Sequence, residues 1–310
     1  MSPAYRYPFG PYPDGWYVVL ASAALAPGAV VPLEYFGREL VAFRGESGEA
    51  VVADAHCPHM GAHLGYGGVV VGDTVRCPFH AWRFDTAGDC VEVPYSTSGQ
   101  VPRVCLTTHP VEEVNGLVHV WASGAGRAPT WRPMARPEFG APGWVGYETI
   151  GWHIRMHVQE LAENVPDMAH FNYVHEVGAD LRALAEVDGH VYRQQSQVKV
   201  GDDYVTFTRQ EAEGLGIVWL HSMEGRVCFV TATTPVDDET CELRLYFLVH
   251  QDNGEAELTA ANRATIESIA ENTARDVPIW EHKKYVEKAP LVADDGPILL
   301  LRRWARQFHG

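Results

Sequence analysis

The chain has 310 residues, of which 46% are hydrophobic and 21% charged, with a formal charge of −16. That length carries two domains, each able to bury its own core, and the composition fits a soluble globular protein. The acidic balance excludes an electrostatic footprint for nucleic acid or for an anionic membrane surface.

The opening MSPAYRYPFGPYPDG has no basic region followed by an apolar stretch. No signal peptide is read, and a cytoplasmic location is expected. The uncharged run 16–33 contains Pro27, Gly28 and Pro32, which would break a lipid-spanning helix. Strand, turn, strand is expected there, with no membrane segment. Residues 16–123 hold short apolar runs (WYVVLA, ELVAFRG, EAVVADA, GLVHVWAS) bounded by Gly, Pro and Asp, the pattern of a small all-β domain.

The chain is too long and too poor in cysteine for a secreted disulfide scaffold. Cys90, Cys105, Cys228 and Cys241 read as reduced thiols packed as small hydrophobes. Cys57 and Cys77 differ. CPHMGAHLG at 57–65 and CPFHAW at 77–82 give Cys-x-His, seventeen residues, then Cys-x-x-His. Two cysteines and two histidines suit a structural zinc or a Rieske [2Fe–2S] cluster, with thiolates on one iron and imidazoles on the other. A β-rich setting without a finger helix favours the cluster. So do Gly61, Gly65, Gly67 and Gly68, which let the backbone approach the sulfurs, and Trp82, which can cover the site. The ligands are then Cys57, His59, Cys77 and His80. His56 and His63 fall out of register and read as loop histidines with local hydrogen bonds.

SGAGRAPTWRP at 123–133 reads as a linker, so domains are expected at 1–125 and 126–310. Residues 153–176 look helical through most of their length. Within them Asn164, Asp167 and His170 follow at i, i+3 steps along one helical stripe. His175 would point about 140° away from His170 on an ideal helix. Both histidines reach one metal only if the helix bends or ends between them. Two histidines and a carboxylate form the facial triad of Fe(II), which leaves open positions for O2. YVTFTRQEAE, IVWLHSM, RVCFVTATTPV and CELRLYFLVHQ read as strands of one antiparallel sheet, and 261–288 as helix. The third ligand must come from far along the chain, from Asp276, Glu281, Glu287, Asp294 or Asp295. Asp295 stands before Gly296 and Pro297, a rigid turn that suits a fixed ligand, and Asp294 is the second choice.

The cluster pattern followed by Asn-x-x-Asp-x-x-His-x4-His resembles the catalytic subunits of the Rieske non-haem iron oxygenases over nearly the whole chain. The tail 277–308 is similar to that of the 3-ketosteroid 9α-hydroxylase oxygenases and the related cholesterol 7-desaturases. The resemblance implies an α+β chain: an all-β Rieske domain, then a helix-grip (START-like) domain whose antiparallel sheet wraps on a long helix around a hydrophobic tunnel. It implies two cofactors, the [2Fe–2S] cluster and a mononuclear Fe(II). The iron would be held by His170, His175 and, from the subgroup's Asp-Gly-Pro segment, Asp295.

The implied activity is a monooxygenase that uses O2 to hydroxylate a hydrophobic, steroid-like substrate. Its electrons come from a separate NAD(P)H-dependent flavin and iron–sulfur reductase or a ferredoxin. Desaturation or demethylation at the same iron is the alternative; a non-catalytic Rieske electron carrier with a lipid-binding module belongs to a different class. The resemblance also implies a head-to-tail homotrimer in which Asp167 bridges His170 and a neighbour's His80, with Asn164 near the iron. Where the family usually has Gly after the second cluster histidine, this chain has Ala81.

Overall fold

The computed structural model describes residues 6–222, 226–251 and 257–310. The chain divides into two compact units, Val18–Trp121 and a second built from Ala122–Gly310 together with the residues up to Tyr17. The N-terminal segment therefore packs with the second unit rather than the first. Tyr7 and Phe9 stack near His157, and Phe9 lies 4.4 Å from the His309 ring. Among the described residues, no helix is long and apolar enough to cross a membrane.

The first unit is all β. One four-stranded antiparallel sheet runs Val30–Tyr35, Arg38–Arg44, Ala50–Asp54 and Thr108–His109. Its middle strands read as unbroken apolar runs and are buried on both faces, with Leu40, Val41, Ala42 and Phe43 fully covered. A second four-stranded sheet runs Val69–Val71, Thr74–Arg76, Arg83–Phe84 and Cys90–Glu92. The unit's core cluster contains both pattern cysteines beside Phe43, Leu64, Val75 and Phe84.

The second unit centres on seven antiparallel strands. Their order is Trp144–Ile154, Cys241–His250, Val227–Pro235, Ile217–Ser222, Asp203–Glu213, Val191–Val200 and Leu181–Asp188. Sequence neighbours pair throughout except at one edge, where the first strand lies beside the last. The chain crosses from that first strand to Leu181 through two short helices, α1 (Val158–Asn164) and α2 (Ala169–Tyr173). Segment 153–176 is thus not one helix. Pro166 supplies no N–H and cannot continue α1, so the chain breaks between the two.

The long helix α3 (Ala260–His282) follows the last strand. The Thr259 hydroxyl caps it, accepting from the main chain of Asn262 at 3.2 Å. Ile266 of α3 packs with Phe229, Leu245, Phe247 and Val249 of the sheet. The helix ends at His282, six residues short of the sequence expectation. There the backbone turns extended, Lys283 pairs with buried Glu160, and Tyr285 packs edge-on against Phe9. These tertiary contacts override the helical pattern of the segment. α4 (Ile298–Ala305) closes the chain, burying Leu301 and Trp304.

Candidate metal centres

The two cysteine–histidine turns of the first unit are built alike. In one, Cys57 N–H donates to the Ala62 carbonyl and Gly61 N–H to that of Cys57, both at 2.9 Å. In the other, Cys77 N–H donates to Trp82 at 2.8 Å and Ala81 N–H to Cys77 at 3.1 Å. The turns bring the Cys57 and Cys77 side chains within hydrogen-bonding contact. The His59 and His80 rings lie 4.7 Å apart. Trp82 stacks on His59 at 4.2 Å and donates its indole N–H to the Tyr95 hydroxyl at 2.8 Å. Burial, with Cys77 alongside, pushes the Cys57 thiol up to about 11.

The donor set fits a Rieske cluster. His80 Nδ1 is buried with no hydrogen-bond partner, which is costly for a polar atom unless a metal takes it. Cys57 and Cys77 are buried as well. His56 and His63 sit beside these turns, ring to ring at 5.2 Å, and the His63 Nδ1 accepts from Gly65 N–H at 3.0 Å.

In the second unit the helix does end between the two histidines. α2 stops at Tyr173, and Glu176 takes a left-handed φ of 56°. This turn brings the His170 and His175 rings to 5.1 Å, at 77° to one another. The third member is Asp276. It projects from α3, its carboxylate lies 3.4 Å from His175 Nε2, and the three side chains could hold one metal ion. All three are largely buried, with side chains 9%, 11% and 7% exposed in that order. His175 Nδ1 is another buried nitrogen without a partner. Two imidazoles and one carboxylate on one side of a cavity fit the facial triad.

Asp295 does not join them, which corrects the expected ligand. Its carboxylate folds back to accept from Val292 N–H at 2.7 Å, capping its own turn. The Asp-Gly-Pro segment instead braces the break between α1 and α2. Asp295's carbonyl lies 3.4 Å from Met168 N–H, and Gly296 sits so close to Pro166 that a Cβ would be 2.0 Å from its carbonyl oxygen. Asp294, Glu281 and Glu287 also lie apart from the histidines.

Asn164, Asp167 and His170 converge, though the break replaces the continuous stripe. Asn164 Nδ2 is 3.2 Å from His170 Nε2. His170 Nδ1 lies 2.6 Å from Asp167's main-chain carbonyl, while the Asp167 carboxylate is at 3.8 Å. With Nδ1–H donated to that carbonyl, the Nε2 lone pair faces the triad. The Asp167 carboxylate accepts His170 main-chain N–H at 3.1 Å. Burial works against its ionisation, but the hydrogen bonds from His170 outweigh it and hold the carboxyl below its usual range.

A cavity of about 560 Å³ opens on the triad, within the usual range for small-molecule sites. Its walls include Phe171, Phe207, Leu220, Phe229, Ile269 and Trp280. One site residue had no sequence signal. Buried Gln194 donates its amide to the Val165 carbonyl at 2.6 Å, an acceptor freed by the break. Asp276 did carry a signal: it continues the buried stripe of α3 marked by Ile266, Ala270 and Trp280, where a lone carboxylate is costly unless paired or bound to metal.

Two positions of positive φ give measurable consequences. Gly61 and Ala81 occupy the same place in the paired turns, with φ of 74° and 58°. A side chain in this region costs about 1 kcal/mol, so Ala81→Gly should stabilise the first unit by about that amount. An unchanged or lowered melting temperature, followed through the cluster's absorbance, would refute this. Gly296 has φ 92° and ψ −174°, a conformation open to glycine alone. Gly296→Ala should disturb the break, costing about 3 kcal/mol and releasing mononuclear iron while the cluster spectrum persists. Full iron retention with unchanged stability would show that the brace does not hold the turn.

The chain also matches known proteins along most of its length. Residues 15–110 match the Rieske [2Fe-2S] domain and residues 120–309 the 3-ketosteroid 9alpha-hydroxylase C-terminal domain. The chain is 32% identical to a cholesterol 7-desaturase of Xenopus laevis, covering 96% of this chain and 72% of that one. It is also 32% identical to a probable 3-ketosteroid-9-alpha-monooxygenase oxygenase component of Rhodococcus rhodochrous, covering 96% and 80%. Among solved structures, NdmA of Pseudomonas putida CBB5 with caffeine shares the fold at TM-score 0.73 and 18% identity, covering 94% of this chain and 89% of that one. Dicamba monooxygenase does so at 0.65 and 17%, covering 94% and 96%. The chain is a Rieske-type non-haem iron oxidoreductase and belongs to the family whose second domain is that of the 3-ketosteroid 9α-hydroxylases.

Proposed function

We propose that this chain is the oxygenase component of a monooxygenase that hydroxylates a C–H bond of a steroid-like polycycle. One observation carries the reading: a cavity with extensive apolar walls ends at His170, His175 and Asp276. In this reading those three residues hold the iron, and Cys57, His59, Cys77 and His80 hold the cluster. Bound there, the cluster stores an electron at a potential raised by its imidazole ligands, and the iron supplies activation of O2.

The chain's own groups set the geometry. Phe171, Phe207 and Phe229 exclude water and pack against the polycycle. Asp167, through its carbonyl, fixes the His170 ring in the tautomer that presents Nε2. The overall change takes substrate, O2, two electrons and two protons to alcohol and water. The electrons come one at a time from a separate flavin and iron–sulfur reductase or ferredoxin, with NAD(P)H as the ultimate donor, in the cytoplasm. The relative named as an oxygenase component supports a separate reductase.

We further propose a head-to-tail trimer in which the Asp167 carboxylate meets His80 of a neighbouring copy. Its side chain is one-third exposed. Large apolar side chains are exposed at both proposed ends: Met60, Tyr66 and Phe79 around the cluster turns, and Tyr173 and Val177 after α2.

Asp276→Ala should lower total iron by roughly one third while leaving the cluster's absorbance intact, since two histidines hold Fe(II) poorly. Asp295→Ala should keep its iron unless the turn collapses. Retention in the first variant and loss in the second would reverse the ligand assignment. Asp167→Ala should retain both metals yet lower coupled turnover by roughly 10–100-fold; near-normal turnover would remove its bridging role. Assay with a purified reductase against a steroid panel, with product analysis, tests the substrate class. Desaturated product instead of alcohol would identify a desaturase, and oxidation of none of the panel would refute the steroid-like substrate.

A further inference from the structure

The seven-stranded sheet carries a second group of metal-competent side chains. Alternate residues of its central strands face opposite ways. Leu220, Ser222, Val227 and Phe229 line the cavity. Between them, His221 and Cys228 turn to the other face, and they are direct cross-strand partners. His221 Nε2 lies 3.9 Å from Cys228 Sγ, and His221 Nδ1 lies 3.4 Å from Oε1 of Glu138, which reaches over from the turn after Arg136. One ligand atom from each of Glu138, His221 and Cys228 lies within 4.8 Å of the other two. Glu138 Oε2 is independently informative: it is buried and has no hydrogen-bond partner.

We propose that Glu138, His221 and Cys228 form a third metal site, for zinc, on the sheet face opposite the cavity. Thiolate, imidazole and carboxylate are the three protein ligand types of zinc, and three of them leave a fourth position for water. Tetrahedral zinc with its usual bond lengths sets such ligands roughly 3.3–3.8 Å apart, so the side chains need close by only about an ångström. Arg136 is nearby, but its charge is taken up by ion pairs with Glu211 and Glu213, and it stacks over Trp219 at 5.1 Å. Burial keeps the Cys228 thiol protonated in the metal-free chain, so zinc entry releases that proton to solvent. Once bound, the ion would pin the Glu138 turn to two strands whose opposite faces form the cavity wall.

The test uses the holoprotein, loaded with cluster and iron, equilibrated with zinc ions and freed of excess by gel filtration. Wild type should keep about one zinc per chain. Asp276→Ala should keep the same amount, which separates this site from the iron site. Cys228→Ser and His221→Gln should each lose at least roughly nine-tenths of it with the cluster absorbance unchanged; the second variant, at a partly exposed position, serves if the first fails to fold. Zinc X-ray absorption should show one sulfur neighbour at about 2.3 Å. Zinc kept by both variants, lost with Asp276→Ala, absent from wild type, or bound without sulfur overturns the site.

Discussion

The break at Pro166 is the constraint on which the catalytic unit depends. Two histidines five residues apart must converge with a carboxylate from a helix a hundred residues further on. A continuous helix through 158–176 would splay them. Breaking it leaves main-chain groups without helical partners, and a buried orphan of that kind costs about 1–3 kcal/mol. Distant segments supply the answers. Gln194 donates to the Val165 carbonyl, and the Asp295 carbonyl faces Met168 N–H. Gly296 lets that second segment come close. A turn with little stability of its own becomes rigid because a strand and the C-terminal segment meet it from different sides.

Charge reinforces the same region. α1 buries Gln159, Glu160 and Glu163, an unusual set for an interior. Each has a partner: Gln159 donates to Glu163 at 2.9 Å, Glu160 pairs with Lys283, and Glu163 takes both arms of Arg302 at 2.7 and 3.0 Å. Arg302 also lies over the Tyr285 ring at 4.6 Å. Removing one partner of such a pair costs about 3–5 kcal/mol because the other charge stays buried. Apolar packing would tolerate rotation of α1; these directional contacts do not. They join α1 to the segments following α3, so the end of the second unit holds the helix that precedes His170 and His175.

Much of this was legible in sequence because the chemistry is local. Cys57, His59, Cys77 and His80 lie in two short turns, and the spacing within each turn fixes which atoms face inward. His170 and His175 were legible for a related reason: their spacing requires an interruption between them, and the end of α2 at Tyr173 provides it. The strands that line the cavity follow their apolar runs. What sequence did not show depends on distant contacts. The helical pattern of 283–288 yields to Lys283 and Tyr285, whose partners lie on α1 and near the N-terminus. Gln194 looks like any strand glutamine until the Val165 carbonyl arrives beside it.

The third candidate ligand shows how a correct principle can point to a residue that the structure places apart from the histidines. A Gly-Pro turn is rigid, which favours Asp295 in sequence, and rigidity does matter for a ligand. But that rigidity serves the brace: the glycine makes room for Pro166, and the carboxylate is consumed in capping its own turn. Asp276 offered a different clue. It stands on the buried stripe of α3, where an apolar residue would cost nothing and a lone carboxylate is strongly unfavourable. A charge kept at such a position needs a compensating cation or hydrogen-bond donor. His175 is beside it, with His170 across the turn. For a metal ligand supplied from far along a chain, the more telling mark is a carboxylate that its helix cannot otherwise bury.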